Sequence, residues 1–190
     1  LATLFYIVGL ELTRDPFLMV GLENMWVNIG RNQVHLPSQG TQRLRGSIGL
    51  VLPDLARVEA ALQGVSEALA DTEFTFTAAN DRIEATCPWG NRFICHAPAE
   101  EFGPADLSVA YLEFDVPKGT AAGISRFYTE IMGARAELDE RNGSPSAKIW
   151  AGPYQHLHFT ETDDEIPAYD GHHFQIYISD FSGPYDKLMD

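Results

Sequence analysis

Cysteine is nearly absent: Cys87 and Cys95 are the only two in 190 residues, and they form no CxxC pair. A disulfide framework is therefore excluded as the basis of the fold, and a reducing cytoplasm suits the chain. A cross-strand pair either side of "PWGNRFI" stays open, but buried free thiols are the simpler reading. Basic residues are also scarce. Thirteen lysines and arginines face 27 aspartates and glutamates, for a net charge of -14 without a basic run. Such a chain repels polyanions, which excludes nucleic acid and anionic membrane as partners. No apolar run approaches the ~20 residues that span a bilayer. The opening "LATLFYIVGLELTRD" lacks the basic start and cleavage site of a secretory leader. There is no glycine-rich phosphate loop and no G-x-S-x-G elbow. The acidic run Asp163, Asp164 and Glu165 lacks the alternating oxygen spacing of an EF-hand and reads as a solvated loop.

What the chain does contain is a globular composition, 45% hydrophobic and 21% charged, and an internal repeat. "FYIVGLEL" from Phe5 is echoed by "FYTEIMGARAEL" from Phe127. "SIGLVLPDL" (47–55), "YLEFDVP" (111–117) and "HFQIYISDF" (173–181) share a second pattern. The spacings correspond to a unit of roughly 60 residues, as short-period repeats of supersecondary structure do. Each unit reads as a strand, a turn, a helix and three further strands, or βαβββ. The helix "DLARVEAALQGVSEAL" places Leu55, Val58, Leu62 and Val65 on one face. "GTAAGISRFYTEIMG" ends on a capping glycine. Strands are expected around "RAEL", "AKIWAG" and "QHLHFTE", with a turn at "RNGSPS". The pattern leaves the opening strand of unit one and the end of unit four outside the chain.

Strand alternation sends side chains to opposite sheet faces. Tyr111, Glu113 and Asp115 share one face, as do His156, His158 and Thr160, and His173, Gln175 and Tyr177; Gln33 and His35 share another. The apolar faces should pack under the helices. Polar faces curling together would form a cup of the kind a small-molecule site needs. Trp26, Trp150, Tyr154 and Tyr177 could stack on a ligand, although aromatics more often fill cores.

The repeat resembles the vicinal oxygen chelate superfamily, which includes glyoxalase I, bleomycin-resistance proteins and extradiol dioxygenases. "FYIVGLEL" and "FYTEIMG" resemble its FY-x-x-x-LG helix end, "CPWGNRFICHAP" its D-P-D-G-N hairpin, and "HHFQIYISDF" its H-H-I-A-F strand. The resemblance implies an α+β fold of tandem βαβββ modules, forming curved mixed sheets with helices on the outer face. It implies a first module pair over residues 1–100, and a third module with the start of a fourth over 101–190. Family ligand positions fall at the start of the opening strand and the middle of the closing strand of each unit. Here they are His35 in unit one, Ser47 and Ile94 in unit two, Tyr111 and His158 in unit three, and His173 in unit four. The metal ligands implied are His158 and His173, for Fe(II), Mn(II), Zn(II) or Ni(II). Tyr111 is implied as ligand or proton donor and Glu113 as general base. His35, His156, Gln175 and Tyr177 would line the pocket, and His172 would point away from it. Tyr111 stands where dioxygenases carry histidine, and His158 where many relatives carry glutamate. The function implied is a divalent-metal enzyme of lyase, isomerase or dioxygenase type, acting on a small oxygen-rich molecule. The alternative is a metal-free binding protein of the bleomycin-resistance type, and a homodimer is one assembly open to either.

Overall fold

Helical structure opens the chain: Thr3–Gly9 winds as a π-type helix that buries Phe5, Tyr6 and Gly9. The computed structural model describes residues 1–16, 24–37 and 40–189. Three strands complete unit one, β1 (Thr13–Arg14), β2 (Asn24–Ile29) and β3 (Asn32–Pro37), paired antiparallel as a small sheet. Unit two runs β4 (Gly46–Val51), α1 (Leu55–Val65), β5 (Thr75–Ala78), β6 (Arg82–Thr86) and β7 (Arg92–His96). Unit three runs β8 (Ser108–Pro117), α2 (Ala121–Arg126) with a π-type continuation over Phe127–Ile131, then β9 (Ala136–Arg141), β10 (Ser144–Gly152) and β11 (Gln155–Thr162). A last helix, α3 (Ser182–Met189), closes the described chain. Units two and three are thus βαβββ, as the sequence pattern predicts.

Local chemistry explains the helix limits. The Asp54 side chain accepts from the Arg57 backbone N–H at 3.0 Å, satisfying one of the free donors at the start of α1. Val58, Leu62 and Val65 then face inward at helical spacing. The unit-three helix stops before Gly133, whose φ of +65° suits glycine.

Units two and three share one eight-stranded mixed sheet in the order β5-β6-β7-β4-β8-β11-β10-β9. In each unit the opening strand lies parallel to the closing strand, β4 beside β7 and β8 beside β11. The two opening strands meet antiparallel at the centre. The β4–β8 ladder therefore joins unit two to unit three in one sheet across residue 100. Unit one still contributes to the core. Phe5, Tyr6, Val27 and Ile29 pack with α1 and with Ile83, Phe93 and Cys95 in one cluster. A second cluster beneath α2 contains Phe114, Ala147, Ile149 and Leu157. Both cysteines are buried and free. No helix among the described residues is long and apolar enough to cross a membrane.

The fourth-unit segment does not follow the sequence pattern. Residues 173–178, whose alternation predicts a strand, have no ladder partner and form no regular secondary structure. A strand needs a neighbour for its backbone donors and acceptors. The opening strands of units two and three each lie between two neighbours, and none of the described strands pairs with this segment. It runs instead over the helix-bearing side of the sheet, where the Phe174 ring lies 5.1 Å from Phe114.

Candidate functional site

Cross-strand register assembles the polar face of the large sheet in rows. Arg92, Ser47, Glu113, His158 and Lys148 lie side by side on β7, β4, β8, β11 and β10. The next row runs Ile94, Gly49, Tyr111, His156 and Trp150. Alternation places all of these side chains on the face opposite Phe114 and Leu157. Gly49 is needed in its row, because a Cβ there would meet the Tyr111 ring at 2.3 Å.

Glu113 is the hub. Its carboxylate is ion-paired with Arg141 Nε at 3.0 Å and accepts a hydrogen bond from the Thr160 hydroxyl at 3.0 Å. The Ser47 hydroxyl and the Asn142 amide approach it at 3.5 Å each. Arg141 also lies over the Tyr111 ring, 4.6 Å from its centroid. These contacts report the shape of the sheet. β9 is three strands from β8, about 14 Å away in a flat sheet. The short Asn142 side chain could not span that gap, so the open sheet is curved over its unit-three half. The β9–β10 turn supports the curvature, with Asn142 at φ +54° and Gly143 at φ +77°, the left-handed pair of a tight hairpin.

Tyr111 and His96 Nε2 share a hydrogen bond of 2.9 Å. Burial raises the pKa of the Tyr111 phenol, so it stays protonated, although Arg141 beside it opposes the shift. Burial lowers His96. Burial, then the Arg141 guanidinium, brings His158 down to about 3; burial, then Lys148, brings His156 to about 4. Both rings are neutral at physiological pH. His158 is only 5% exposed, its ring stands edge-on to Tyr111 at 5.8 Å, and its Nδ1 has no hydrogen-bond partner. A buried ring nitrogen without a protein partner carries a desolvation cost, and Arg141 Nε and Arg45 Nε share that condition.

The sequence-expected residues divide in two. Tyr111, Glu113, His156 and His158 come together on the polar face. His173, Gln175 and Tyr177 do not: all three are exposed, Tyr177 by 94%, and their segment lies on the helix side. His173 Nδ1 contacts Gly171 O at 3.0 Å, and His172 pairs with Asp170 at 2.8 Å. His35 belongs to the small sheet, stacked on Trp26 at 4.5 Å. Trp150 lies under the Arg135 guanidinium at 3.8 Å, and Tyr154 covers Gly103. Sequence reasoning missed Arg141, Asn142 and His96. The "NG" in "RNGSPS" was the available signal, since a tight hairpin there returns Arg141 toward the face.

The donor set does not make a metal centre. The family positions carried by this face are Ser47, Ile94, Tyr111 and His158; isoleucine has no donor atom, and Glu113 is engaged by Arg141. Among the described residues no three His, Cys, Asp or Glu side chains gather as a metal set. His158 is the one strong ligand type among the four.

A polar face built across two joined βαβββ units is the architecture of the vicinal oxygen chelate fold, and this chain has that fold. It is similar to the crystal structure of glyoxalase I from Zea mays, with a TM-score of 0.55 at 13% identity, covering 86% of this chain and 64% of that one. A variant of the same maize enzyme gives a TM-score of 0.54 at the same identity and coverage. The chain thus spans a little under two thirds of the maize enzyme. No protein-family model matches the chain, and no curated protein matches it.

Proposed function

We propose that this chain binds a small, oxygen-rich molecule on the polar face shared by units two and three, without help from a metal ion. The observation that carries the reading is the buried His158 ring, with Nδ1 unpartnered beside Tyr111 and the Glu113–Arg141 pair. Arg141 is ion-paired with Glu113, yet its buried Nε has no hydrogen-bond partner and is a donor for a ligand oxygen. The protonated Tyr111 phenol is a second donor, and His158 Nδ1 an acceptor for a ligand hydroxyl. Glu113 holds Arg141 in place instead of acting as a free base. A histidine with a pKa near 3 accepts a hydrogen bond but is a poor proton acceptor at neutral pH, which favours binding over acid–base catalysis. Two buried free thiols fit a reducing compartment such as the cytoplasm.

A metal-dependent enzyme of lyase, isomerase or dioxygenase type is the second reading. Its support is the same unpaired Nδ1, and it requires ligands that the described residues do not supply. A thermal-shift screen of chelator-treated protein against catechols and 2-oxo acids separates the two. A ligand at 100 times its Kd stabilises by about 2.7 kcal/mol, or about 5–10 °C for a chain of this size. The binding reading expects such a rise with chelator present and its loss in Tyr111→Phe. A rise seen only after adding Fe(II), Mn(II), Zn(II) or Ni(II) supports the second reading instead.

A further inference from the structure

The unit-two half of the polar face contains a cavity of about 140 Å³, at some distance from Glu113. Its polar lining comes from Thr75 and Thr77 on β5, Glu84 and Thr86 on β6, and Arg92 on β7. Register explains the grouping: Thr75 pairs with Thr86, Thr77 with Glu84, and Thr86 with Arg92. Glu84 is already committed, its carboxylate 2.8 Å from Arg82 Nε. The Arg92 side chain forms no hydrogen bond or close ion pair among the described residues; its charge reaches Asp115, where it opposes the rise that burial imposes on the carboxyl pKa. The three threonine hydroxyls likewise make no side-chain hydrogen bond. The cavity therefore presents a guanidinium without a hydrogen-bond partner and three free hydroxyl donors, beside a Glu84 carboxylate neutralised by Arg82.

Volume and charge together select an occupant. Ligand pockets run to about 300–1,000 Å³, so this cavity suits one functional group and not a whole ligand. A guanidinium flanked by hydroxyls complements an oxyanion, which it can grip through two parallel N–H donors. We propose that the cavity is an oxyanion subsite, in which Arg92, Thr75, Thr77 and Thr86 hold a carboxylate or phosphate group. Arg92 is in register with Ser47, and Ser47 with Glu113. Two strand spacings, about 10 Å, thus separate Arg92 from β8 with Glu113 and Tyr111, and a third, for about 14 Å, separates it from His158 on β11. The ligand class is an elongated anion, charged at one end and oxygen-rich at the other. This two-ended ligand rests on the proposed function above; the anion cavity does not.

The test is an amide NMR titration of the full chain with inorganic phosphate and, separately, acetate. Wild type, Arg92→Gln and Arg92→Lys are compared; Arg92 is exposed, so neither variant threatens the fold. The inference expects saturable shifts at residues 75–77, 86 and 92, weakened at least tenfold in Arg92→Gln and partly restored in Arg92→Lys. Tighter phosphate identifies a phosphate ester, and tighter acetate a carboxylate. Absence of saturable shifts with either probe, or Arg92→Gln titrating as wild type, overturns it. A polar-face ligand that binds normally to Arg92→Gln but not to Tyr111→Phe leaves the proposed function standing and sinks the two-ended ligand. Anion shifts at the cavity, with no Tyr111-dependent ligand in the screen, do the reverse.

Discussion

Glu113 and His158 have opposite electrostatic problems, and each yields a measurable consequence. Glu113 is a buried carboxylate satisfied by Arg141 and Thr160. Glu113→Gln should destabilise the chain by about 1–3 kcal/mol, because the largely buried Arg141 loses its counter-charge. Urea unfolding reads this, and an unchanged midpoint would mean that the pair is dispensable. His158 and His156 are neutral rings whose pKa values fall to about 3 and about 4. In the unfolded chain both protonate near pH 6.5. As pH drops below that value the unfolded state takes up protons that the folded state refuses, so stability falls from about pH 6.5 toward pH 3. Above pH 6.5 neither ring contributes a slope. His158→Gln should flatten the acid limb of the stability profile. Tyr111, Glu113, His156 and His158 were legible as face-mates because alternation along one strand needs only sequence. Arg141 was not, because its contact depends on curvature three strands away.

Among the elements, the β9–β10 hairpin does most to shape the site. Its turn needs Asn142 and Gly143 at positive φ, and the Asn142 amide reaches Glu113. Asn142→Ala should cost about 1–2 kcal/mol by forcing an ordinary side chain into the left-handed region. Asn142→Gly should cost less, keeping the turn and losing only the amide. Equal unfolding midpoints for the two variants would contradict this role for the turn. Helix α1 offers a simpler case: Asp54→Ala removes its N-cap and should cost about 1 kcal/mol in the same assay. These helices and the strands of units two and three were readable from apolar spacing and turn residues. The 173–178 strand was misread for a physical reason. Alternation shows that a segment could form a strand, and only a neighbouring edge makes it one.

Across the whole molecule the organising feature is the β4–β8 junction, which joins two repeats into one eight-stranded sheet. Repeat period alone could not choose it, since a 60-residue spacing says nothing about which unit pairs with which. Hydrogen exchange should be slowest at β4 and β8, the central strands of the sheet, and faster along the edge strands β5 and β9 and residues 165–181. Rapid exchange in β8 would contradict a single continuous sheet. The junction also decides which family positions meet: Ser47, Ile94, Tyr111 and His158 share the face, while His35 and His173 lie elsewhere. That arrangement puts His158 on the shared polar face and His173 away from it, so the two histidines implied as ligands by the resemblance are not brought together.

The most direct test records the histidine ring ¹⁵N resonances of chelator-treated protein while a ligand from the thermal screen is added. Binding on the polar face predicts that the His158 and His96 rings shift and saturate together, while His172 and His173 stay fixed. A shift at His173, or a response that requires added divalent metal, would contradict it.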